Sequence, residues 1–220
     1  MNKKEEIKNL IIQQGLLPLY YNDSSEISLG ILRALYKAGI RIVEYTNRGS
    51  EALDNFISLK KIANAEMSDM KIGIGTIKTK TDAEIFIAAG ADFIVCPIVD
   101  ISIAELVHKS SRLWIPGCMT ATEINVAETN GALLVKIFPG NILGPSYINA
   151  IKEIFPNLLF MPTGGVEMDQ ENIQSWFNAG VSAVGMGSKL ITKSIMENKD
   201  YNKLTENSTH ALALVKSSRN

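Results

Sequence analysis

The chain has 220 residues, of which 46% are hydrophobic and 20% charged, and its formal net charge is −1. That balance suits one soluble α/β domain with a continuous core, and it offers no basic footprint for nucleic acid or an anionic membrane. The stretch from Met1 to Ile12 mixes charges of both signs, and no segment reaches the ~18 apolar residues of a bilayer span, so a cytoplasmic protein is expected.

In chain order, Lys3 to Gln14 reads as an amphipathic helix ahead of the first strand. β-rich runs then recur at Leu16 to Tyr20, Arg41 to Tyr45, Lys71 to Gly75, Asp92 to Cys96, Leu113 to Ile115, Ala132 to Ile137, Leu158 to Met161 and Val181 to Met186. Between them apolar residues repeat at helical spacing, as at Ile27, Ile31, Leu35 and Ala38, and Gly39, Gly90, Gly131 and Gly180 supply helix stops. Tyr201 to Lys216 reads as a final outer helix. Alternating strand and helix units with mostly apolar strands point to a parallel sheet closed into a (β/α)8 TIM barrel with an extra N-terminal helix, one domain over residues 1–220. An open doubly wound sheet is the alternative. Against it, Gly73-Ile74-Gly75-Thr76 lacks the third glycine of a dinucleotide fingerprint, and no composition break marks a subdomain.

In such a barrel the chemistry gathers at the C-terminal ends of the strands. Lys136 is the single charge in Ala132-Leu133-Leu134-Val135-Lys136-Ile137-Phe138. A lysine there either snorkels to solvent or is held for its chemistry, because desolvation favours a neutral amine able to attack a carbonyl. Glu44 interrupts strand two in the same way, as a general acid/base or the partner of a structural cation. Arg48 and Thr76 close strands two and three, where a guanidinium can grip a carboxylate or make a plain salt bridge. Pro97 and Phe138, after strands four and six, join the expected substrate wall. Gly164-Gly165 and Gly187-Ser188, after strands seven and eight, either make tight turns or offer bare N–H groups to a phosphate.

Cys96 and Cys118 have neither metal nor redox spacing and read as small apolar filler; His108 and His210 fall in helices and read as surface residues. No metal or cofactor is expected. Lys78 and Lys189 also follow strand ends and are the rival reactive lysines.

Gly39-Ile40-Arg41-Ile42-Val43-Glu44-Tyr45-Thr46-Asn47-Arg48, Gly73-Ile74-Gly75-Thr76-Ile77, Ile115-Pro116-Gly117, Lys136-Ile137-Phe138-Pro139, Pro162-Thr163-Gly164-Gly165-Val166 and Gly187-Ser188 resemble, in order and spacing, the KDPG/KHG aldolases. These are class I enzymes that cleave 2-keto-3-deoxy-6-phosphogluconate or 4-hydroxy-2-oxoglutarate. The resemblance implies a Schiff base on Lys136 and proton transfer by Glu44. It implies that Arg48 and Thr76 hold the pyruvyl carboxylate and that Thr163 lies beside the substrate. Gly164, Gly165, Gly187 and Ser188 would receive a phosphate. It also implies a metal-free homotrimer. Two stretches depart from the family pattern, Ala121 and Asn141-Ile142-Leu143-Gly144-Pro145, and both bear on the aldehyde partner more than on the Schiff base. Readings that stay open are the phosphogalactonate epimer as substrate, a sugar-phosphate epimerase or isomerase with Lys136 as an electrostatic clamp, and a catalytically silent sensor of a phosphorylated metabolite.

Overall fold

The computed structural model describes residues 2–219. It opens with helix α1 (Lys3–Gln14), capped by the Asn2 side chain and ended by Gly15 in the left-handed region. Strand β1 (Leu16–Tyr20) and helix α2 (Ser25–Lys37) follow, then β2 (Ile42–Thr46), α3 (Ala52–Glu66), β3 (Lys71–Gly75), α4 (Lys80–Ala88), β4 (Phe93–Val95), α5 (Ile101–Lys109) and β5 (Leu113–Ile115). After the two-residue β6 (Gly117–Cys118) come α6 (Ala121–Thr129), β7 (Leu134–Ile137), α7 (Gly140–Lys152), β8 (Leu159–Pro162), α8 (Gln170–Asn178), β9 (Val184–Met186), the short α9 (Lys193–Glu197) and α10 (Tyr201–Ser217). Gly39, Gly90, Gly131 and Gly180 all have φ between 82° and 98° after a helix, so the expected stops are geometric ones. The α7 segment is two helices joined at a kink, because Gly144 is non-helical and Pro145 cannot continue the ladder.

All strand pairs are parallel. One sheet has the order β5-β4-β3-β2-β1-β9 and the other β6-β7-β8. The sequence leads one to expect eight strands; among the described residues nine segments form, because Pro116 lacks an N–H and splits the fifth into β5 and β6. The two sheets are joined on both flanks. Lys136 donates its N–H to the Pro116 carbonyl at 2.8 Å, and Ser182 donates to Phe160 at 2.9 Å beside a parallel bridge between Thr163 and Gly185. Strands also start later than their apolar runs suggest. Ala132, for example, belongs to the buried turn behind α6 and donates to Ala127.

Two layers of core follow from the period-two alternation of the strands. Side chains on one face pack under the helices. Those on the other, Leu17, Ile42, Phe93, Val95, Leu113, Ile115, Leu134, Met161 and Ala183, form a separate cluster drawn from both sheets. Ile7 and Ile11 of α1, at most 1% exposed, seal the N-terminal end of that cluster. Burying such a residue contributes roughly 2 kcal/mol before entropy, which accounts for α1 docking despite its mostly polar sequence.

One expectation needs correction. His108 is half-buried, not a surface group: its Nε2 lies 2.9 Å from the Asn130 carbonyl and its ring meets Trp114 edge-on. His210 is exposed. Cys96 and Cys118 are free and buried, and burial pushes both thiols up to about 12. Among the described residues no helix is long and apolar enough to cross a membrane.

Candidate active site

The inner cluster ends where polar residues replace apolar ones on the same strand faces. On β2 the series Ile42, Glu44, Thr46 shares one face, and on β7 Leu134 and Lys136 share one. Glu44 and Lys136 thus point inward from different sheets and meet there. Lys136 Nζ is 3.8 Å from Glu44 Oε1, with side chains 7% and 1% exposed. That separation is an ion pair longer than hydrogen-bond reach. Neither Glu44 oxygen accepts a hydrogen bond among the described residues. A buried carboxylate with no other partner is costly, so its position needs an explanation beyond packing.

Strand β3 makes the room. Its inward residues are Gly73 and Gly75: a methyl group placed at Gly75 would lie 1.7 Å from Glu44 Oε1, and one at Gly73 would lie 2.3 Å from the Phe93 ring. Cys96, directly after β4, turns to the cluster under the helices, and burial keeps its thiol protonated. Lys136 Nζ also sits 5.3 Å from the centre of the Phe138 ring, within cation–π range.

Phe138 leads outward to a cleft of about 400 Å³. Arg48, Phe138, Thr163, Gly164, Gly165, Gly187 and Ser188, all expected from the strand ends, line it. Thr76 and Pro97 do not. Thr76 follows Gly75 with φ of 62°, and Pro97 packs against Gly117, where an added methyl group would meet its carbonyl carbon at 2.6 Å. The sequence reading overlooks Leu19, Tyr20 and Tyr21, which close β1 and form one side of the cleft. They end a strand like the other site residues, but their aromatic and aliphatic character resembles core. The Tyr21 hydroxyl donates to Asp23, and burial together with that carboxylate pushes the phenol pKa up.

Two glycine loops form the far end. Thr163 is 8% exposed, and its Oγ1 has no hydrogen-bond partner among the described residues; Gly185 leaves space for it, since a methyl group there would stand 2.5 Å away. Gly164 and Gly165 have φ of 90° and 72°, a pair of left-handed residues that only glycine adopts without strain. The Gly165 carbonyl accepts from Asn172 Nδ2 at 3.1 Å and Trp176 Nε1 at 3.3 Å, which fixes the loop from α8. The N–H groups of Gly164, Gly165, Gly187 and Ser188 donate to no backbone carbonyl among the described residues. Four unused donors beside a cleft suit an anion. Among the described residues no three His, Cys, Asp or Glu side chains come together in a metal-like group.

Known proteins share this arrangement of elements. A 2-dehydro-3-deoxy-6-phosphogalactonate aldolase of Escherichia coli is 33% identical over 134 residues, 60% of this chain and 64% of that protein. A 2-dehydro-3-deoxy-phosphogluconate aldolase of Treponema pallidum is 29% identical over 202 residues, covering 91% and 93%. The solved KDPG aldolase of Legionella pneumophila, with pyruvate captured as a covalent carbinolamine intermediate, superposes with a TM-score of 0.82 at 26% identity, covering 91% of this chain and 95% of that one. A model of the KDPG and KHG aldolases matches residues 7–207, a span that holds Glu44, Lys136 and both glycine loops, and the chain therefore belongs to the KDPG and KHG aldolase family.

Proposed function

We propose that the protein is a class I aldolase that cleaves 2-dehydro-3-deoxy-6-phosphogluconate to pyruvate and glyceraldehyde 3-phosphate, and/or 4-hydroxy-2-oxoglutarate to pyruvate and glyoxylate. The observation that carries this reading is the buried pair of Lys136 and Glu44, 3.8 Å apart, with the ring of the cleft residue Phe138 5.3 Å from the lysine Nζ and no other partner for the carboxylate among the described residues. The Lys136 amine attacks the C2 carbonyl, and the carbinolamine loses water to an iminium. The iminium accepts the electron pair of the C3–C4 bond while Glu44 takes the proton of the C4 hydroxyl, releasing the aldehyde and leaving an enamine. Protonation at C3 and hydrolysis then release pyruvate and restore the lysine.

In this reading Arg48 and Thr76 hold the pyruvyl carboxylate, Pro97 and Phe138 wall the keto acid, Thr163 faces the reacting carbons, and the four unused N–H groups receive the phosphate. Neither metal nor cofactor takes part. The chain is one domain over residues 1–220, and its two sheets are arcs of one (β/α)8 barrel, supported by the hydrogen bonds on both flanks and by an inner cluster drawn from both. It works in the cytoplasm as a homotrimer; the exposed Ile98, Ile101, Met119 and Ile142 are apolar surface available to such an interface. The 33% identity to the galactonate aldolase favours the C4 epimer, 2-dehydro-3-deoxy-6-phosphogalactonate, as a second substrate.

Pyruvate release from the three keto acids, followed with a coupled dehydrogenase, tests the reading. Cleavage of at least one phosphorylated substrate, competed by inorganic phosphate, is expected. Failure to release pyruvate from all three would overturn it.

A further inference from the structure

The proposal concerns Lys189, and it rests on the aldolase reading above. Arg48 and Lys189 are the cationic side chains in the wall of the cleft. If Arg48 holds the carboxylate end of a keto acid, the backbone N–H groups at the other end supply dipoles but no net charge. A phosphate ester carries about −1.5 to −2 at neutral pH. Lys189 directly follows Ser188, so it stands at the end of the cleft where that charge would arrive.

In this structure Lys189 already holds an anion. Its Nζ lies 2.9 Å from Glu167 Oε2, with side chains 57% and 43% exposed, and the pair links the loop after β9 to the loop after β8. Glu167 is itself fixed, because its N–H donates to Asn172 Oδ1 at 2.9 Å, and the same Asn172 side chain holds the Gly165 carbonyl. One α8 residue thus positions both the glycine donors and the carboxylate that engages the lysine. We infer that Lys189 selects phosphorylated over unphosphorylated keto acids, with Glu167 as the resident anion that it exchanges for the substrate's phosphate. A flexible four-carbon stem and a point charge suit such an exchange better than a guanidinium fork would. The selection is modest because both groups are exposed and screened by salt: about tenfold, or ~1.4 kcal/mol.

A plain structural strap between the loops makes the opposite prediction about Glu167, which gives the test its direction. The dissociation constant of inorganic phosphate is measured by phosphorus NMR titration of the full chain, wild type, Lys189→Met and Glu167→Gln. Lys189→Met is expected to weaken phosphate binding about tenfold. Glu167→Gln, which removes the competing carboxylate, is expected to tighten it about threefold. The ratio of kcat/KM for phosphorylated substrate to that for 4-hydroxy-2-oxoglutarate moves in the same two directions. If both variants weaken phosphate together, the pair is only a strap; if neither moves it, Lys189 does not reach the anion; either result overturns the proposal. Imine formation at Lys136 needs no phosphate, so failure of the aldolase reading would be recognised separately.

Discussion

Gly75→Ala tests how closely the Lys136–Glu44 pair is set by its surroundings. The added methyl group would fall 1.7 Å from Glu44 Oε1 and 2.5 Å from its carboxyl carbon, and contacts under 3.0 Å do not persist, so the carboxylate must shift by at least ~1.3 Å. With the Glu44 side chain 1% exposed, there is little free space to shift into. A displacement of about 1 Å at a reacting group costs on the order of 10²-fold, and complete loss of general acid/base catalysis costs 10²–10⁴-fold. The expected fall in kcat is therefore about 10²-fold, while the fold is retained because the atom to be moved is the far end of a side chain. Gly73→Ala is the matched control: its methyl group meets the Phe93 ring at 2.3 Å, and overpacking of that kind costs about 1–3 kcal/mol of stability. Steady-state cleavage and calorimetric Tm, measured on both variants, should separate cleanly. Gly75→Ala loses turnover far beyond what its loss of Tm accounts for, whereas Gly73→Ala loses Tm and keeps its turnover. A Gly75→Ala protein that keeps kcat within threefold of wild type would mean that turnover does not depend on where the Glu44 carboxylate sits.

Three further outcomes are expected. Arg48→Gln, which removes a charged fork from the cleft wall, should raise KM for every keto acid by roughly 10–100-fold with a smaller change in kcat; an unchanged KM in steady-state assays would remove Arg48 from substrate binding. Asp92 joins Lys60 at 2.6 Å and accepts the Ile72 N–H at 2.8 Å, so Asp92→Ala strands both partners and should cost about 3 kcal/mol, seen calorimetrically as a Tm drop of roughly 6–12 °C, with kcat unchanged. Burial holds the Cys96 and Cys118 thiols at about 12, above the ordinary ~8.5, so both should resist alkylation in the native protein at pH 8 and react only on unfolding. The sign for stability follows: these groups favour the fold fully below ~8.5, and that contribution is lost as pH rises towards about 12, because the unfolded chain ionises first.

Local pattern carries far in this protein. Lys3 to Gln14, the strand at Leu16 to Tyr20 and that at Lys71 to Gly75 emerge where their sequence places them, since each is decided by short-range pattern: helical spacing closed by Gly15, or a short apolar run. The split at Pro116 depends on which neighbour would have accepted its missing N–H, a pairing that apolar runs do not encode. His108 likewise reads as a surface residue until Trp114, on another element, is brought against it. At the site, Lys136 and Glu44 are conspicuous as single charges in apolar runs, and the family resemblance adds their roles. Their meeting is tertiary, because β2 and β7 lie in different sheets, and so is the function of Gly75, which looks like an unremarkable strand glycine until the Glu44 carboxylate fills the space beside it. Leu19, Tyr20 and Tyr21 look like core in the sequence because a cleft wall and a core favour the same side chains.

Borohydride trapping shows whether Lys136 forms an imine with a keto acid. Wild-type protein is incubated with pyruvate, reduced and mapped by peptide mass spectrometry, beside Lys136→Ala. A carboxyethyl adduct on Lys136 of the wild type, and none on the folded variant, is the predicted result. An adduct on Lys78 or Lys189 instead, or none on protein that still cleaves keto acids, would contradict it.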